Sequence, residues 1–235
     1  MKIQKWRRLV VVGVAFLGVV VWLLVNPASY EQIFTKVENT EAETGTLDED
    51  KELAIDVLER LEVKGRAPKT NYSREEFYGS WPTVDGCNLR QKIIKREFGD
   101  SAVLDGCNVV AGEFDEAYTG EHKVFKTKEE IFKGIQIDHV VALSDAWQKG
   151  AQYMDKAVRY EMATDPLNLL AVDAKANQGK SDGDAATWLP KNKKFRCQYV
   201  ARQVSVKYKY KLWVTEAEKN AIHDILMTCP NEPVL

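Results

Sequence analysis

An acid and a histidine stand side by side in the apolar segment IDHVVALSDAW, residues 137–147. Asp138 and His139 are followed by two valines, so the pair lies in a run of β-forming residues. A histidine of ordinary pKa can accept a proton near neutral pH, and a carboxylate is a ligand that hard cations prefer. The pair alone is weak evidence, because such a histidine is often a core residue whose hydrogen bonds are satisfied.

Two asparagines follow in the segment DPLNLLAVDAKANQGKSD, residues 165–182. Asn168 opens a short apolar strand predicted over Leu169–Val172, and Asn177 comes nine positions later in a predicted helix. Each asparagine could instead have a purely structural role, because Asn168 could be a turn residue after a proline and Asn177 could end a helix. The informative feature is the order: a strand with Asp-His, intervening helices, a strand with Asn, then a helix with Asn and the sequence Lys-Ser-Asp.

The elements around these residues predict an α+β domain. CNVVAGEF (107–114) and HKVFK (122–126) read as two paired strands, and a helix is expected from Asn88. Near the C-terminus, two helices with a short connection are expected to pack antiparallel. Thr215 and Glu218 form a predicted capping box at the start of the second one.

These residues resemble an HNH endonuclease of the ββα-metal class. The similarity is to the secreted HNH nucleases of bacteria, which are grouped with the DUF1524 and GmrSD C-terminal nuclease domains. It extends from about Tyr72 to Cys229 and includes the sequence DGC twice and YTG at residues 118–120. The resemblance implies an α+β ββα-metal core with an additional hairpin and C-terminal helices.

The resemblance also implies a role for each residue. His139 would be the general base, Asp138 and Asn177 would bind a single Mg²⁺ (or Mn²⁺), and Asn168 would tie the hairpin loop and orient His139. Adjacent strand residues point to opposite faces, so Asp138 and His139 can serve one site only at a strand end or bend. One departure is Ala142, where the wider pattern has proline.

The implied activity is hydrolysis of phosphodiester bonds in DNA with little sequence selectivity. Two alternatives remain open: an exported module that binds nucleic acid without cleaving it, and a nuclease or toxin domain that acts on RNA or another polymer. No protein partner is inferred.

The net charge of −2 hides a basic C-terminal third. Residues 175–211 carry ten lysines and arginines against Asp182 and Asp184. Such a stretch could track a phosphate backbone, although a solvated helix face is the plainer reading. The residues predicted to contact nucleic acid are Arg90, Lys180, Lys193, Lys194 and Arg196.

The N-terminus predicts export. Basic residues in 1–8 precede an uncharged apolar run at 9–25, which favours an uncleaved transmembrane signal anchor with residues 1–8 in the cytoplasm. A cleaved signal peptide is the alternative, and it would make the protein secreted. An acidic linker is expected over 26–50, an amphipathic helix and connector over 51–71, and the nuclease domain over 72–235.

Four cysteines suit an exported protein. No Cys-x-x-Cys pair exists, so a structural zinc site is disfavoured. Cys87 and Cys107 each follow an Asp-Gly turn, and Cys197 and Cys229 fall near the far ends of the two C-terminal helices. The pairing Cys87–Cys107 and Cys197–Cys229 is therefore favoured, although four cysteines allow three pairings.

Overall fold

Short antiparallel strands alternate with short helices along the chain. The computed structural model describes residues 52–235. Its strands are β1 (Thr83–Val84), β2 (Cys87–Asn88), β3 (Val103–Asp105), β4 (Asn108–Asp115), β5 (His122–Phe125), β6 (Ile135–His139) and β7 (Leu169–Asp173). They form the antiparallel pair β1–β2, the three-stranded sheet β3–β4–β5 and the antiparallel pair β6–β7.

The helices flank these strands. They are α1 (Ala54–Glu59), α2 (Leu89–Phe98), α3 (Lys128–Gly134), α4 (Leu143–Gln148), α5 (Lys156–Thr164), α6 (Ala174–Lys180), α7 (Arg196–Lys209) and α8 (Glu216–Leu226). Turns of 3-10 helix occur at Arg74–Glu76, Gly99–Ser101, Ala151–Tyr153 and Lys193–Phe195. The prediction of an α+β fold is confirmed, as is the pairing of β4 with β5.

The β6–β7 pair is buried on both faces, so its apolar side chains pack into two separate clusters. Ile137 and Leu169 pack into a cluster with α2, whereas Leu170 and Val172 pack into a second cluster beneath α7 and α8. Asp138 lies on the second face, opposite Leu170 in the strand register. The hairpin therefore forms the centre of the domain and holds its polar residues rigidly.

Helix α1 belongs to the same compact unit as the rest of the described chain. Val57 and Leu58 are fully buried in the cluster that contains α7 and α8, and Val63 forms a β-bridge with Val214. The amphipathic helix predicted within 51–71 corresponds to α1, and this segment supplies part of the core. The division of the chain into domains stays a prediction. The transmembrane span predicted at 9–25 and the linker at 26–50 lie outside the described residues. Within residues 52–235, no helix is long and apolar enough to cross a membrane.

Two disulfides join the elements with the favoured pairing. Cys87–Cys107 links the start of β2 to the loop before β4, with a Cα–Cα distance of 5.5 Å. Cys197–Cys229 links the first turn of α7 to the chain just after α8, with a Cα–Cα distance of 6.4 Å. The second bridge holds the antiparallel helix pair closed at one end.

Candidate active site

Strands β6 and β7 with helix α6 form a β–β–α unit that brings the predicted site residues together. Asp138 pairs with Leu170 and His139 with Leu169 in the antiparallel register. Helix α6 follows β7 directly, because the Asp173 side chain caps it by accepting a hydrogen bond of 2.8 Å from the Ala176 N–H. The first turn of α6 therefore starts at the end of the hairpin.

His139 is the last residue of β6 and is almost completely buried. Its Nε2 lies 2.9 Å from the carbonyl oxygen of Ala163. A carbonyl only accepts, so Nε2 carries the proton and Nδ1 carries the lone pair. The Trp81 ring stacks on the imidazole at an interplanar angle of 8°. Burial lowers the pKa of His139 to about 3, against the opposing effect of the Ala163 hydrogen bond, so the ring is neutral at physiological pH.

Asp138 is buried and both of its oxygens accept hydrogen bonds. Tyr118 donates its hydroxyl to Oδ2 at 2.5 Å, and Lys180 donates from Nζ to Oδ1 at 3.0 Å. Burial raises the pKa of Asp138, while the positive charge of Lys180 and these hydrogen bonds act against that rise. Lys180 also donates to the carbonyl oxygen of His139 at 2.9 Å. The Lys180 ammonium therefore binds both the Asp138 side chain and the backbone carbonyl of His139.

Asn177 faces β6 from helix α6. Its Nδ2 donates a hydrogen bond of 2.9 Å to Oε1 of Gln136, the residue two positions before Asp138 on the same face of the strand. In the structure the nitrogen of the Asn177 amide points towards Gln136. Because the nitrogen is engaged by Gln136, the oxygen Oδ1 is the atom left to face a ligand.

Asn168 is fully buried and ties the ends of the hairpin together. Its Oδ1 accepts from the Val141 N–H at 2.8 Å, and its Nδ2 donates to the carbonyl oxygens of Val141 and Met162 at 3.4 and 3.3 Å. Val141 is two residues after His139, and Met162 precedes the Ala163 carbonyl that holds the imidazole. Asn168 therefore positions His139 through the backbone of Val141 and of Met162, and it does not line the pocket.

One pocket of about 270 Å³ is lined by Asp138, His139 and Asn177 together. Tyr72 and Arg74 from the N-terminal part of the described chain also line it, as do Ala142, Leu143 and Ser144 at the start of α4 and Ser181 and Asp182 after α6. The three predicted site residues therefore share one concave, polar surface. Such a pocket is the usual place for catalysis.

The oxygen donors in this pocket fit a hard cation. The Asp138 carboxylate and the Asn177 amide oxygen are both ligand types that Mg²⁺ prefers, and Mg²⁺ sites often use only one or two protein ligands. Elsewhere in residues 52–235, the group of His, Cys, Asp or Glu atoms close enough to share an ion is Cys197, Cys229 and Glu232. Both of those cysteines are in a disulfide, so that cluster offers no thiolate.

The residues predicted to bind nucleic acid differ in their exposure to solvent. Lys180 was predicted to contact nucleic acid, but its side chain is fully buried and is bound to Asp138 and to the His139 carbonyl. Arg90 is half-buried and donates to the Ile135 carbonyl oxygen at 3.0 Å. Lys193 and Lys194 are exposed, and their contact with nucleic acid stays a prediction.

Arg196 is half-buried, and its Nε donates to the carbonyl oxygen of Pro190 at 2.8 Å. The guanidinium is therefore partly occupied by the backbone of the preceding loop. Its contact with nucleic acid also stays a prediction.

Sequence reasoning missed three residues of this site. Tyr118 is the tyrosine of the YTG sequence, whose role was unassigned, and its fully buried hydroxyl contacts Asp138. Gln136 could have been found from its position two residues before Asp138 on one strand face. No sequence pattern marks Arg74 as a site residue, because only the fold brings residue 74 to the pocket.

Comparison with known proteins identifies the family. The model for the C-terminal domain of GmrSD restriction endonucleases matches residues 88–225, more than half of the chain. The chain belongs to this family. The resemblance to HNH nucleases is therefore confirmed, and the domain is of a nuclease type.

One relative adds to this picture. An "Uncharacterized secreted protein" of Arthroderma benhamiae is 34% identical over 180 residues, which cover 75% of this chain and 84% of that protein. No solved structure matches the chain significantly. The family match begins at residue 88, so Tyr72, Arg74 and Trp81 are supplied from outside the matched part.

Proposed function

We propose that the protein is a metal-dependent endonuclease that hydrolyses phosphodiester bonds of DNA with low sequence selectivity. The observation that carries the proposal is that Asp138, His139 and Asn177 line one pocket on a β–β–α unit. A domain that only binds nucleic acid has no need of a neutral, buried imidazole with a lone pair next to oxygen donors. Family membership supports the nuclease class.

His139 is the proposed general base. Its Nε2–H is held by the Ala163 carbonyl, so a water molecule approaching from the pocket meets the lone pair of Nδ1. In the part of the chain that the structure describes, Nδ1 has no hydrogen-bond partner. Because the imidazole is fixed by this bond and by the Trp81 ring, its lone pair keeps a constant direction.

Asp138 and Asn177 are the proposed ligands of one Mg²⁺ or Mn²⁺ ion. When bound, such a cation neutralises charge on a non-bridging phosphate oxygen and on the departing 3′ oxygen. Tyr118 and Lys180 fix the Asp138 carboxylate, and Gln136 fixes the Asn177 amide. Asn168 is the proposed positioning residue for the loop that follows His139.

Two depressions near the catalytic pocket support the proposed path for the sugar–phosphate backbone. A second depression shares Asp182 with the catalytic pocket, and a third shares Gly179 and Trp188 with the second. The exposed lysines Lys175 and Lys191 line the third. The proposed phosphate contacts Lys193, Lys194 and Arg196 follow Lys191 within five positions of the chain. Such contacts position a strand without reading its bases.

An exported location is part of the proposal. The named relative is a secreted protein, and two disulfides are typical of oxidising compartments. We propose that residues 9–25 direct export, either as a membrane anchor or as a signal peptide that is removed. Immunoblotting of cell and medium fractions for a C-terminal tag distinguishes the two.

The decisive experiment is plasmid cleavage by residues 52–235, with Mg²⁺, Mn²⁺ or EDTA. His139→Ala should lose about 10²–10⁴-fold in rate, which is the usual contribution of general-base catalysis, and should still bind DNA. His223→Ala is the matched control, because His223 is a half-buried histidine on α8 that does not line the pocket. Cleavage by His139→Ala at the wild-type rate would falsify the proposal, and RNA in a parallel arm tests the alternative substrate.

A further inference from the structure

Among residues 52–235, Arg74 is a cation in the catalytic pocket that has no acidic partner. The carboxylates that line the pocket are each matched by a lysine: Asp138 by Lys180 at 3.0 Å and Asp182 by Lys69 at 3.2 Å. Arg74 forms no ion pair with any carboxylate of residues 52–235, although it is exposed and lines the same pocket. Its natural complement is an anion that enters from solution.

The Arg74 guanidinium is held in place by Tyr78. It stacks over the Tyr78 ring, with 4.9 Å between its central carbon and the ring centroid, and it also donates a hydrogen bond to the Tyr78 hydroxyl. Tyr78 is buried and packs against the His139 ring at a centroid distance of 5.8 Å. One aromatic side chain therefore supports both the cation and the proposed base.

Arginine suits this position better than lysine for recognising a phosphodiester. Its planar guanidinium can donate two parallel hydrogen bonds to two phosphate oxygens while one face stays stacked on an aromatic ring. Stacking on Tyr78 uses one face of the guanidinium, and the hydroxyl uses one of its five N–H groups. Most of its donors therefore remain available to a ligand.

We propose that Arg74 binds the non-bridging oxygens of the scissile phosphodiester, opposite the side held by Asp138 and Asn177. The inference rests on the proposed nuclease function and adds a substrate-binding residue to it. Arg74 lies outside the matched residues 88–225, so the N-terminal part of the domain completes the site. In this arrangement the substrate phosphate lies between a cation fixed on Tyr78 and the lone pair of His139.

The variants are Arg74→Gln and Arg74→Lys. Arg60→Gln is the matched control, because the Arg60 guanidinium also stacks on a tyrosine, Tyr208, at 4.9 Å, but away from the pocket. We expect similar melting temperatures for Arg74→Gln and Arg60→Gln, since each loses one cation–π contact and one further polar contact, to Tyr78 and to Glu52 respectively. Arg74→Lys should recover part of the activity, because it keeps the charge without the bidentate geometry.

Two substrates separate the scissile phosphate from its neighbours. Plasmid DNA has flanking phosphates, whereas bis(p-nitrophenyl) phosphate has a single phosphodiester. Arg74→Gln should lower kcat/KM about 10²-fold on both, which is the usual effect of removing one donor to a developing charge. A contact with flanking backbone would affect plasmid cleavage alone, and that result would overturn the inference.

A binding measurement tests the role of Arg74 independently of catalytic turnover. Diethyl phosphate is titrated into the wild type and both glutamine variants in EDTA, with chemical-shift changes followed by NMR. We expect Arg74→Gln to bind at least tenfold more weakly than the wild type and Arg60→Gln to bind equally well. Equal binding by Arg74→Gln would overturn the role of Arg74. A wild type that binds diethyl phosphate through Arg74 but cleaves nothing would overturn the proposed function alone.

Discussion

Lys149 is the centre of a buried ion network whose removal should destabilise the domain in a pH-dependent way. Its ammonium is fully buried and lies 2.7 Å from Asp145, 2.8 Å from Asp184 and 2.7 Å from Glu218. Lys207 and Arg66 supply two further positive charges to the same carboxylates, so three cations balance three anions. Replacing Lys149 with methionine keeps the volume and leaves one buried negative charge uncompensated.

The size of the effect has an upper limit. Breaking a buried ion pair costs about 3–5 kcal/mol. The variant can instead protonate one carboxylate, and at pH 7 this costs about 4 kcal/mol for a group whose ordinary pKa is near 4. The free energy of unfolding should therefore fall by about 3–4 kcal/mol at pH 7, which lowers the melting temperature of a domain of this size by about 10 °C. At pH 5 protonation costs only about 1–2 kcal/mol, so the deficit should shrink by half or more.

The wild type should show the complementary acid dependence. Burial alone would raise the pKa of Asp184, but the hydrogen bond and charge of Lys149 and the charge of Arg66 outweigh it and lower that pKa to about 2. A carboxylate with a lowered pKa contributes stability above its unfolded value near 3.8, and this contribution is lost as the pH falls towards 2. Wild-type stability should therefore decline from pH 4 to pH 2, with about 2 kcal/mol from Asp184.

The assay is urea unfolding at pH 7, 5 and 3, followed by tryptophan fluorescence. Lys133→Met is the control, because Lys133 forms an exposed i,i+4 pair with Glu129 that should contribute under about 0.5 kcal/mol. If Lys149→Met and Lys133→Met unfold at the same urea concentration at pH 7, the network does not stabilise the fold. A deficit that stays constant from pH 7 to pH 5 would refute the protonation argument.

Three further predictions concern the site and its frame. Lys180→Met should lower the melting temperature by several degrees and leave the salt dependence of DNA binding unchanged. Lys175→Met on the same helix is the control and should leave the melting temperature unchanged. A weaker salt dependence of DNA binding for Lys180→Met would contradict its buried role. Ala142→Pro should stabilise the domain by about 0.5 kcal/mol in urea unfolding and keep cleavage, because residue 142 has φ of −57°. Replacing Cys197 and Cys229 with serine should cost about 3–4 kcal/mol for a bridge that spans 32 positions, and calorimetry of this variant beside the oxidised wild type checks it.

The residues that the sequence predicted are those whose roles depend on local order. The Asp-His pair, the two asparagines and their strands follow one another along the chain, so periodicity and the family resemblance were enough to bring them together. The requirement that this pair lie at a strand end or bend also came from local order. His139 is the last residue of its strand, which is the condition for Asp138 and His139 to serve one pocket.

The residues that the sequence missed depend on long-range packing. Lys180 reads as an exposed lysine in a basic stretch, and only the position of α6 against β6 buries it beside Asp138. Glu218 was predicted to complete a capping box. Thr215 does cap α8 by accepting from the Glu218 N–H at 3.2 Å, but the Glu218 carboxylate points into the ion network. No local pattern distinguishes these two outcomes, because both place a glutamate at the same helical position.

The strand end at His139 also explains why so many buried polar groups surround it. A chain that leaves a sheet exposes the N–H and C=O groups of the following residues, and these must find partners when they are buried. Val140 donates its N–H to the Asn168 carbonyl, and its own carbonyl accepts from Gln203 of α7 at 3.2 Å. Asn168 satisfies Val141 on both sides. The chain that leaves β6 is therefore held by Asn168, just before β7, and by Gln203 of α7. The geometry of the site is a consequence of completing the hydrogen bonds of the chain that leaves the strand.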